Sequence, residues 1–136
     1  MVTKMKIKFQ PIPKEKQLEA ICKLFLSETR EVLQPFVSIK RWPEVYTWDN
    51  TKYKKFFDFD REELVEYLKD LPKLCEQHYK NSLSKRTSGA FMIEKLGKFK
   101  TGYVNEDGEI QYYNEFNNIY EATADYILIE FGMREL

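Results

Sequence analysis

Residues 98–113, KFKTGYVNEDGEIQYY, decide how this chain folds. Residues 98–104 and 110–113 are rich in aromatic and β-branched side chains, which suit a pleated strand. Between them, Asn105-Glu106-Asp107-Gly108-Glu109 is a turn, and Asp107-Gly108 is its strongest signal, because glycine accepts the positive φ that a tight hairpin requires. Residues 90–94 form another candidate strand just upstream. The sheet is therefore expected to be antiparallel.

Downstream of the hairpin the apolar period changes from 2 to 3.6. Asn114 is expected to cap a helix over residues 115–131, which Gly132 ends. Phe116, Ile119, Tyr120, Thr123, Ile127 and Phe131 share its inner face. Glu121 and Asp125, four apart, are expected on the outer face. Upstream, Asp60 and Glu63 have the spacing of a capping box for a helix over residues 61–79. Pro72 interrupts its hydrogen-bond ladder, so a kink or two short helices meeting near Asp70 are expected. Residues 81–89 read as a polar loop.

Further back, Leu18, Ile21, Cys22, Phe25, Val32 and Leu33 give helical spacing over residues 14–33. Lys4 to Phe9 alternates polar and apolar, as an edge strand does. Residues 36–39 and 45–48 are candidate short strands, and Phe56-Phe57-Asp58-Phe59 reads as strand or loop. Strands and helices in this order indicate a single α+β domain spanning residues 1–136, an antiparallel sheet with about three helices packed mainly on one face.

The chain has 136 residues, 43% hydrophobic and 15% aromatic, enough to bury a core without staples. Cys22 and Cys75 lie far apart on apolar helix faces, with no CxxC pair. They read as buried free thiols, which implies a reducing compartment. The basic N-terminus lacks the apolar stretch of a signal peptide, and no apolar run is long enough to span a membrane. A cytoplasmic protein is expected.

No motif names a reaction. The five glycines are too scattered to cradle phosphates. The single histidine, His78, falls on an apolar helix face near Leu71, Leu74 and Cys75, where a structural role is the plainer reading. A multi-histidine metal site is excluded, and no cofactor is implied. Paired carboxylates drawn from Glu106, Asp107 and Glu109 sit on a turn tip, where water keeps them ordinary acids.

Charge is more informative. The formal net charge of zero hides two opposed segments: residues 101–136 hold eight acids and one base, and residues 80–100 hold six bases and one acid. The acidic segment fits a basic partner, captured through charge complementarity. The basic segment, with Lys80, Lys85, Arg86, Lys95, Lys98 and Lys100 interleaved with Tyr79, Phe91 and Phe99, is the mix a single-strand nucleic-acid binder uses. Its plainer reading is a solvated loop and strand face.

Gly102-Tyr103-Val104, Asp107-Gly108 and Tyr112-Tyr113, followed by residues 117–132 (NNIYEATADYILIEFG), resemble the C-terminal end of some bacterial immunity proteins. The resemblance covers about a quarter of the chain. It implies a small α+β inhibitor that occludes a contact-delivered or polymorphic toxin. The expected function is thus non-enzymatic binding of a protein with a basic surface, such as a toxin nuclease domain. Glu106, Asp107, Glu109, Tyr112, Glu121 and Asp125 are the expected contacts, with Tyr112, Tyr113 or Trp48 as aromatic anchor. The alternative is nucleic-acid association through residues 80–100. A third reading is an unfamiliar enzyme built around His78.

Overall fold

The computed structural model describes residues 13–26, 57–84 and 88–133. The expected strands at 4–9, 36–39 and 45–48, residues 27–33 of the expected 14–33 helix, Phe56 and Trp48 lie outside these residues. The described elements are α1 (Lys14–Phe25), α2 (Arg61–Lys69), α3 (Pro72–Ser84), β1 (Gly89–Lys95), β2 (Lys98–Val104), β3 (Ile110–Phe116) and α4 (Ile119–Glu130).

The three strands form an antiparallel sheet in the order β1-β2-β3. Two tight turns make this possible. Leu96 and Gly97 both take positive φ between Lys95 and Lys98, which lets the first hairpin close in two residues. Asn105 organises the second turn: its Oδ1 accepts from the backbone N–H of Asp107 and Glu109, and Gly108 takes φ 81. Thr101 pairs with Asn114 and Gly102 with Tyr112, so Tyr113 is an extra residue in a β-bulge.

One sheet face carries Ala90, Met92, Thr101 and Phe99, and the helices cover it. Helix α4 packs across all three strands, and α3 lies beside it on β1. Helices α1 and α2 cover α4 from the far side. That is why Ala122 through Ile129 are all buried, not one stripe of them. The α+β class and the antiparallel sheet agree with the sequence reading, with four helices among the described residues where about three were expected.

Two boundaries differ from expectation. The last helix starts at Ile119, because β3 continues through Phe116 and pairs with β2 to that point. Its N-cap is Asn118, whose side chain accepts from Glu121 N–H; Asn114 is a strand residue. The helix does end at Gly132, with Met133 N–H returning to the Leu128 carbonyl. The second difference is α3, which runs to Ser84 and takes in the first four residues of the expected polar loop. Its polar residues have inward partners. Ser82 Oγ both donates to the Met92 carbonyl and accepts from the Met92 N–H, and Asn81 donates to the Tyr126 hydroxyl.

The expected break at Pro72 is present: α2 stops at Lys69, and Pro72 is the first residue of α3, where its missing N–H has no consequence. The reciprocal capping box of Asp60 and Glu63 is also present. Phe57 and Phe59 lie in irregular chain and are buried, with Phe57 edge-on to Phe131. Gln17 of α1 pins that segment by exchanging hydrogen bonds with Asp58. Cys22 and Cys75 are free and buried. No helix among the described residues is long and apolar enough to cross a membrane.

Candidate binding surface

The strand register places a row of side chains on the sheet face turned away from the described helices. Residues paired directly across strands share a face, so Met92 and Thr101 fix the inner side. The outer side then reads Lys95–Lys98, Ile93–Lys100–Glu115, Phe91–Gly102–Tyr112 and Val104–Ile110 from one turn to the other. Phe91 lies over Gly102 and meets Tyr112 edge to face at 5.5 Å. A Cβ at Gly102 would sit 2.6 Å from the Phe91 ring. Glycine here is thus a packing requirement. Lys100 Nζ sits 5.8 Å from the Tyr112 ring centroid and 3.9 Å from Glu115.

The face ends at the acidic β2–β3 turn. Glu106, Asp107 and Glu109 are exposed there, and Glu109 Oε1 accepts from Asn105 Nδ2 at 2.8 Å. Glu106 and Asp107 enter none of the ion pairs seen among the described residues. Ile110 and Tyr112, on the strand leaving this turn, are 55% and 59% exposed. Four of the expected contacts, Glu106, Asp107, Glu109 and Tyr112, are therefore neighbours on one surface. Tyr113 is not part of it, because the bulge turns it half-buried against the core.

Glu121 and Asp125 lie elsewhere, and the expectation that both project outward from the last helix is corrected. Asp125 is 0% exposed. Arg61 Nη1 is 2.7 Å from its Oδ1, and Thr101 donates to its Oδ2. The helix is sandwiched between sheet and helices, so its polar stripe faces α2 instead of water. Glu121 is half-buried and lines an open cleft of about 660 Å³ together with Phe59, Asp60, Arg61, Asn114 and Phe116. The Arg61 guanidinium lies 5.2 Å from the Phe116 ring centroid.

His78 is wholly buried, edge-on to Tyr126, and burial lowers its pKa to about 4. Burial also pushes the Cys75 thiol up. Both groups are therefore neutral near pH 7, and a thiolate–imidazolium pair is not formed. Among the described residues, no group of three or more His, Cys, Asp or Glu is placed to hold a metal ion. Of the basic segment, Lys95, Lys98 and Lys100 gather at the β1–β2 end of the outer face, Lys80 is exposed on α3, and Lys85 and Arg86 lie outside the described residues.

Sequence reasoning missed Arg61 and Leu96. Each carries a local signal. An arginine in the first turn of a helix opposes the macrodipole and needs a specific partner. A leucine before glycine in a two-residue hairpin occupies a position that asparagine or aspartate fills more easily. Comparison with protein-family models, with curated proteins and with solved structures gives no match.

Proposed function

We propose that this chain acts by binding and not by catalysis, as an immunity-type inhibitor that occludes a toxin with a basic active surface. The observation that carries the reading is the exposure of Ile110 and Tyr112 beside the acidic β2–β3 turn. Apolar groups of that size in water, rimmed by acids that enter no ion pair among the described residues, are the makings of an interface with an aromatic anchor and a charged rim.

In this mechanism, Glu106, Asp107 and Glu109 attract lysines and arginines that hold substrate phosphates in the partner. Tyr112 and Ile110 then pack against it once water is displaced. Charge would set the rate of capture, and the apolar contact would set its duration. Asp125 has no part in contact; it braces Arg61 and the fold. Glu121, at the separate cleft, is removed from this contact set as well.

The test is the toxin encoded beside this gene. Co-expression should restore growth to cells making that toxin, and the purified pair should form a complex that high salt weakens. Absence of a neighbouring toxin gene, or a toxin that kills equally well with the chain present, would end this reading.

A further inference from the structure

Three of the four large apolar side chains exposed among the described residues, Leu96, Ile110 and Tyr112, lie on the outer sheet face or at its end. Leu96 is the extreme case: it is 96% exposed and held at φ 55, a backbone region that leucine rarely adopts. Neither exposure nor strain helps the monomer fold.

The same face is polarised along the strands. Lys95 and Lys98 mark the β1–β2 end, where Lys100 is offset by Glu115 3.9 Å away, and Glu106, Asp107 and Glu109 mark the β2–β3 end. An occupant covering the whole face must be apolar at its centre, acidic opposite the lysines and basic opposite the acids. A second copy turned end for end has those properties.

Stacked sheets can be related by a twofold axis along the strands or across them. The first sets lysines on lysines and acids on acids. The second sets each basic end on an acidic end, and like-charge repulsion selects it. It also brings Leu96 of one copy toward the Ile110 end of the other.

We propose that two copies of this chain associate through the outer sheet face, about a twofold axis perpendicular to the strands. Three strands spaced about 4.8 Å apart, each seven residues long at about 3.3 Å per residue, give roughly 300 Å² a side. A stable interface buries about 800 Å² a side, so the dimer is weak and forms with rising concentration. It goes beyond the inhibitor reading and does not depend on it. The second copy's basic end occupies the place given to a basic partner, so the two would exclude each other.

Sedimentation equilibrium of the chain alone, from micromolar to millimolar, tests the proposal. The average mass should rise toward the dimer and rise less in high salt. Glu106→Lys with Glu109→Lys, or Lys95→Glu with Lys98→Glu, should each weaken association by about tenfold or more. An equimolar mixture of the two variants should restore it, since every end again meets its opposite. Circular dichroism melts confirm that each variant is folded. Oxidising a mixture of Lys98→Cys and Glu109→Cys chains should trap the mixed dimer. A monomer at every concentration, association untouched by either reversal, failure of the mixture to associate, or a Lys98→Cys homodimer would each overturn the proposal.

Discussion

His78 is buried against the ring edge of Tyr126, and burial lowers its pKa from 6.5 to about 4. Between those values the unfolded chain takes up a proton that the folded chain refuses. Stability is therefore complete above pH 6.5 and falls as pH drops toward 4, by about 3 kcal/mol over the window. Denaturant titrations at pH 7 and pH 4.5 should show the loss, and His78→Phe should flatten this limb; an unchanged slope would mean that another group controls it. Arg61 and Asp125 are the second residue-scale test. Arg61→Ala removes the guanidinium contact from a fully buried carboxylate, a change that costs about 3 kcal/mol, near the low end for buried pairs. The low end applies because the Arg61 side chain is 37% exposed and its own desolvation is incomplete. Adding Asp125→Asn should recover part of the loss. Losses that simply add in urea titrations would show the two residues uncoupled.

At the scale of elements, the β1–β2–β3 sheet depends on Gly102. Gly102→Ala would drive a methyl into Phe91 and into the Gln111 carbonyl beside the bulge. The expected loss is about 1–3 kcal/mol, as for overpacking in a tight site, with weakened amide protection along Phe99 to Val104. A melting temperature equal to wild type would show that the Phe91 ring swings away and the Gln111 carbonyl at the bulge shifts with it at no cost. The hairpin at Asn105–Glu109 and the break at Pro72 were legible in the sequence because each rests on local backbone chemistry: positive φ at Gly108, a missing N–H at Pro72. The start of α4 was not. Asn114 and Asn118 are equally good caps in isolation, and the choice belongs to the β2–β3 pairing, which carries Asn114 to Phe116 into the sheet. Ser82 and Asn81 misled in the same way: their composition reads as loop, while their partners on β1 and α4 hold them in a helix.

At the scale of the whole molecule, the candidate site was half legible, and burial separates the halves. A turn is exposed wherever it sits, so Glu106, Asp107 and Glu109 could be placed from sequence, and Tyr112 follows by strand alternation. The outer face of a helix exists only if one side meets water, and α4 has sheet on one side and helices on the other. A reversal at Asp125 would therefore break the Arg61 and Thr101 contacts and report on folding alone. The informative pair is Glu106→Lys with Glu109→Lys. Both side chains are exposed, so each change should move stability by under about 0.5 kcal/mol, although Glu109 also loses its contact with Asn105. If the turn steers a basic toxin, the double variant should bind it more slowly at low salt. The gap to wild type should close as salt rises and the Debye length falls to about 8 Å near 0.15 M. Tyr112→Ser should act on the other rate, leaving capture nearly unchanged and speeding dissociation. Stopped-flow association and dissociation traces, read beside thermal melts, distinguish these effects. Equal association rates for wild type and the double variant at low salt would show that the turn does no steering.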